Sequence, residues 1–123
     1  MTKEQRVVIE KTRDMFAWLS ERPTASKLDY LMEIKEEKYP VSFCYCCEYV
    51  WNHNGHQVPA CCGASRVANK EDLDLCPLKT LWPKGCMDES SPFKRWSSRW
   101  MSEKSRPAAL KIVNHCDKML EEE

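Results

Sequence analysis

The chain has 123 residues, 19 Lys and Arg against 19 Asp and Glu, and eight cysteines. A domain of this size buries roughly two-thirds of its unfolded surface at best, so a cross-link or a metal would add much of its stability. Zero net charge removes any global attraction for nucleic acid, no apolar run reaches the ~20 residues of a membrane span, and the charged start MTKEQRVVIEKTRDMF lacks a signal-peptide core.

These features point to a soluble cytoplasmic protein forming one domain, 1–123, in three parts: a helical hairpin over 1–40, a cysteine-rich centre over 41–91 and C-terminal helices over 92–123. Residues 2 to 20 read as a helix, with Thr2 and Gln5 as a capping box and Val8, Met15, Trp18 and Leu19 on one face. ERP at 21–23 ends it. A second helix, capped by Thr24 and stopped before Pro40, presents Leu28, Leu31, Met32 and Ile34. The short connection predicts an antiparallel helical pair.

From Val41 the composition changes to β-branched, aromatic and cysteine residues around Asn54-Gly55. That dipeptide favours a two-residue type I′ turn, so a β-hairpin is expected, with His53 facing His56, Trp51 facing Val58 and Cys47 opposite Cys62. The HNGH histidines then sit solvated at the hairpin tip, without the longer pattern that an HNH-type nuclease needs. Residues 63–91 are loop-rich. A helical region over 91–105 follows, and Ser105 with Pro107 opens a last helix to about Leu120, aligning Leu110, Val113 and Leu120. His115 and Cys116 read as a satisfied helix histidine and a buried thiol, because adjacent helical residues point about 100° apart. The fold class expected is mainly α with a small β-hairpin, helices packed around a zinc-clamped hairpin or knuckle.

Five of the eight cysteines fall between residues 44 and 62. In a reducing compartment this argues for metal binding rather than disulfides, with buried thiols as the alternative. Cys44 and Cys47 have the C-x2-C spacing by which one turn brings two thiolates to a Zn²⁺ at ~2.3 Å. Cys76 before Pro77 and Cys86 after Gly85 lie in turn-rich settings suited to a second pair, while Cys61 and Cys62 compete as donors and Cys46 lies between the first pair. Four thiolates close the metal and make it structural. Glu48 is the nearest carboxylate, but no H-x-E or H-E-x-x-H pattern surrounds it, so the chain reads as no enzyme and no small-molecule substrate is expected. A thiol redox protein is an alternative; its C-x-x-C would normally open a helix, whereas CYCC here reads as opening a strand.

The order CYCCEYV, CPLKTLW, GC and SPFKRW resembles small cysteine-rich proteins encoded in bacteriophage and prophage genomes, over residues 44 to 96. The resemblance implies Cys44, Cys47, Cys76 and Cys86 as zinc ligands. Such proteins often carry another cysteine where this chain has Leu73, a place that Cys61 or Cys62 would fill. It also implies a host or phage protein as partner, including a host-defence protein to be inhibited, in the cytoplasm of a bacterial host.

Charge is uneven along the chain: residues 41–91 carry four basic and six acidic groups, and 92–123 carry seven and five. In FKRWSSRW, Phe93, Trp96 and Trp100 fall on one side of a helix and the cations on the other, which is ordinary amphipathicity. The resulting basic face, Lys94, Arg95, Arg99, Lys104, Arg106 and Lys111, supports an alternative reading as a nucleic-acid-binding module.

Overall fold

The computed structural model describes residues 1–40, 43–57, 70–99 and 102–122. Its helices are α1 (Lys3–Glu21), α2 (Lys27–Glu33), α3 (Tyr45–His53), α4 (Lys70–Leu75), α5 (Pro92–Ser98) and α6 (Arg106–Glu121), with a 3₁₀ turn at Glu103–Ser105. There is no strand among the described residues, so the described architecture is helical and the expected small β-hairpin is not seen.

The expected hairpin is replaced by α3, and the reason lies in how Asn54-Gly55 is used. Asn54 is the C-cap of α3, Gly55 follows at φ +78°, and the His56 N–H donates to the Trp51 carbonyl at 3.0 Å. That six-to-one bond is the Schellman stop, which needs the same positive φ that a type I′ turn needs. The Asn54 side chain completes the stop: Oδ1 accepts from the Gln57 N–H at 3.0 Å, and Nδ2 donates to Gln57 O at 3.0 Å and to Asp72 Oδ1 at 3.2 Å. Burial in α3 follows a helical rather than an alternating pattern, with Cys46, Cys47, Tyr49 and Val50 inside. The expected partners Val58 and Cys62 lie outside the described residues.

Helix α1 carries the expected capping box: Thr2 Oγ1 accepts from Gln5 N–H at 3.1 Å and Gln5 Oε1 accepts from Thr2 N–H at 2.9 Å. Its main packing partner is the sequence-distant α6. Arg6 donates to Leu120 O at 3.4 Å and Arg13 pairs with Asp117 at 3.5 Å, while Ser20 and Glu21 line a cleft with Arg106 and Leu110. The two long helices therefore run antiparallel. On α6 the buried stripe is Ala109, Ile112, Cys116 and Leu120, spaced at three and four residues. Leu110 points outward, 42% exposed.

Helix α2 is shorter than the expected helix from Thr24 to just before Pro40. Ser26 rather than Thr24 caps it, in a reciprocal box with Asp29. It ends at Glu33 because Lys35 adopts φ +57° while Glu36 N–H bonds to Leu31 O at 3.0 Å and Lys35 N–H to Met32 O at 3.1 Å. This is a Schellman stop made without glycine. Only Tyr30 and Leu31 of α2 reach the core, leaving Leu28, Met32 and Ile34 exposed. Ser91 caps α5 through the Phe93 N–H at 3.1 Å, with Pro92 in the first turn. Among the described residues, no helix is long and apolar enough to cross a membrane.

Candidate metal centre

Three separate segments bring the thiols together. Helix α3 supplies Cys44 at its N-cap and Cys46 and Cys47 in its first turn. Phe43, just before, takes φ +53° and its N–H donates to Pro40 O at 2.9 Å. A non-glycine residue held there costs on the order of 1 kcal/mol. Cys76 closes α4 through its N–H to Leu73 O at 3.1 Å. From there a series of tight turns, including Lys79 N–H to Cys76 O at 3.1 Å and Gly85 N–H to Trp82 O at 2.8 Å, carries the chain to Cys86.

Cys46, Cys47, Cys76 and Cys86 are buried and Cys44 is half-buried, all as thiols rather than half-cystines. Cys44, Cys46, Cys47 and Cys86 line one cavity of ≈ 60 Å³, together with Thr12, Phe16, Lys27, Trp82 and Phe93. Cys76 is not on that wall but is hydrogen-bonded to Cys46. Hydrogen bonds to Cys44 and Cys76, then burial, push the Cys46 thiol well above its usual value, so it keeps its proton in this arrangement. Its Sγ is 3.9 Å from Thr12 Oγ1.

Of the ligands expected from the sequence, Cys44, Cys47 and Cys86 share this cavity, and Cys76 reaches it through Cys46. Cys61 and Cys62 lie outside the described residues. Among the described residues, no three His, Cys, Asp or Glu side chains stand gathered as a metal-holding group. The donor chemistry nonetheless fits a thiophilic ion, and the buried Trp82 Nε1–H, on the same wall, has no hydrogen-bond partner among the described residues. A buried, orphaned donor on a residue that lines the thiol cavity suits a site that carries negative charge. The sequence ground for setting redox chemistry aside is corrected here: CYCC opens a helix rather than a strand.

Sequence reasoning missed Lys27, Thr12 and Trp82. Lys27 lines the cavity, its Nζ 4.2 Å from the Phe93 ring centre and 5.9 Å from those of Phe16 and Trp96. The Ser26-Asp29 box that places it was visible in the sequence, but nothing local linked it to the thiols. The histidines are accounted for otherwise. His53 lies 3.2 Å from Glu4 and stacks on Tyr49 at 4.2 Å, and His115 Nε2 is 3.0 Å from Thr80 Oγ1. Cys116 is buried within α6, and burial pushes its thiol up to about 12.

The basic face divides in two. Arg95, Arg99 and Lys111 line a cleft of ≈ 170 Å³ floored by Pro107 and Ala108, whereas Arg106 lines the cleft shared with α1 and pairs with Glu103 at 3.5 Å. Lys94, Arg99, Lys104 and Lys111 make no ion pair among the described residues. Trp96 is buried and Phe93 packs against it, as the amphipathic reading of FKRWSSRW expects of these two, while Trp100 lies outside the described residues. Comparison with protein-family models, with curated proteins and with solved structures finds no match for this chain.

Proposed function

We propose that this chain is a non-enzymatic binding protein whose small fold is closed by a structural Zn²⁺ on Cys44, Cys47, Cys76 and Cys86. The observation that carries the reading is that Cys44, Cys46 and Cys47 of α3 and Cys86 line one cavity, with Cys76 hydrogen-bonded to Cys46 behind it. When bound, the metal would cross-link segments that are too short to hold together by their own helices. A cavity of ≈ 60 Å³ is well below the roughly 300 Å³ of the smallest usual ligand sites, which favours a structural ion over an organic substrate.

The partner in this reading is a protein. Leu28, Met32, Ile34, Tyr39 and Phe43 are exposed on α2 and the segment after it, beside a groove lined by Lys27, Leu28, Phe43 and Trp96. Exposed apolar surface of this kind marks contact sites. The resemblance of residues 44–96 to phage and prophage proteins supports a host protein in that role. Thiol-reagent titration tests the zinc clamp. The clamp predicts that the four ligands stay unreactive in the native protein and that all eight cysteines react once a chelator is added. Equal reactivity with and without chelator contradicts it.

One observation favours a second reading, nucleic-acid binding: residues 94–111 hold six cations against Glu103 alone, and three of them ring one cleft. With Trp96 buried, contact would be to phosphates rather than by base stacking. Arg99→Glu with Lys111→Glu should then abolish a steeply salt-dependent duplex binding. Binding unchanged by that pair removes the second reading.

A further inference from the structure

We propose that Trp82 and Lys27 are the outer-shell donors of the tetrathiolate centre, the indole N–H bonding to a ligand sulfur and the ammonium balancing its charge. This rests on the zinc reading above. Four thiolates on one Zn²⁺ leave an excess of about two negative charges, and buried charge is costly unless donors or cations meet it. The cavity wall restricts which groups can do so. The Thr12 hydroxyl already donates to Val8 O at 2.8 Å, and Phe16 and Phe93 have no donor to give. Besides the Cys46 thiol, itself hydrogen-bonded to Cys44 and Cys76, Trp82 and Lys27 are the side-chain donors that remain.

Both are held in readiness. Trp82 is 3% exposed, and its Nε1 is the buried side-chain nitrogen or oxygen without a hydrogen-bond partner among the described residues. A sulfur acceptor at the centre resolves that orphan. Lys27 forms no ion pair among the described residues; its Nζ rests over the Phe93 ring at 4.2 Å, with Phe16 and Trp96 at 5.9 Å. A cation held against aromatic faces at the cavity wall is preorganised towards incoming negative charge, and its flexible stem can follow that charge. Outer donors of this kind tune affinity and thiolate character without touching the metal.

Competition titration of the full chain against a chromogenic zinc chelator tests the assignment, using Trp82→Phe, Lys27→Met and Lys27→Arg. Zinc affinity should fall about 10-fold in Trp82→Phe and in Lys27→Met, the range for lost outer-shell partners, and Lys27→Arg should restore it. Cobalt-loaded variants should keep a tetrahedral thiolate spectrum, showing that the ligand set is intact. Lys27 is half-buried, so its variants should fold even if Trp82→Phe does not. Wild-type affinity in Lys27→Met, or failure of Arg to restore it, overturns the assignment while leaving the zinc reading in place. A wild-type chain that binds no zinc overturns both.

Discussion

The paired helices α1 and α6 and the cysteine centre between them are stabilised in different ways. α1 and α6 run 19 and 16 residues, begin with readable signals and bury continuous stripes such as Ile9, Phe16 and Leu19 against Ile112, Cys116 and Leu120. In the centre, α3 has nine residues and α4 six, lengths well under the ~12 at which isolated helices become even marginal. Its buried residues include Cys46, Cys47, Cys76 and Cys86 beside Tyr45, Tyr49, Val50, Leu78 and Trp82. One region packs along whole helices; the other joins the same core through short segments, and in the proposed reading it depends on what its sulfurs hold.

The largest test of that contrast is metal removal. Structural zinc contributes on the order of 10 kcal/mol, comparable to a small domain's whole stability. Chelation, or Cys76→Ser, should abolish the near-UV circular dichroism and the cooperative melt. Cys116→Ala, a buried thiol in the paired helices, should cost only about 1 kcal/mol in a denaturant titration. Equal losses at the two cysteines would erase the distinction.

Within the helical pair, Ile112→Ala should destabilise by about 2–5 kcal/mol, since its side chain is fully buried between α1 and α6. Leu110→Ala, one face round, should change urea stability by no more than about 0.5 kcal/mol. Helix ends come next. Thr2→Ala should cost about 1 kcal/mol by removing the α1 box. Gly55→Ala should cost about as much through its φ of +78° alone, because no atom crowds the added methyl.

The smallest effect is a pH dependence at His115, held below its ordinary 6.5 by burial and then by Lys118. As pH falls through that value the unfolded chain takes the proton first, so stability is full above about 6.5 and declines below it. His115→Gln should flatten that slope in melting temperature against pH.

These differences follow what could be read from the residues. The capping box of α1, the Ser91-Pro92 start of α5 and the extent of α6 were legible because caps act through neighbours in sequence. Asn54-Gly55 misled because positive φ serves both a type I′ turn and a Schellman stop, and one bond that accompanies the stop is to Asp72, eighteen residues away. The early end of α2 was hidden for a similar reason: Lys35 takes a conformation usually given to glycine. Candidate ligands were visible as cysteines. The Trp82 and Lys27 walls were not, because only the fold brings α2 and the 76–86 turns to the same cavity.

The most direct measurement is elemental mass spectrometry on protein purified without added zinc, combined with intact mass under native and denaturing conditions. The account predicts one zinc per chain, lost on denaturation, with all eight cysteines reduced. No metal, with mass lower by pairs of hydrogens, would contradict it and make Cys44 and Cys47 part of a disulfide element at the start of α3.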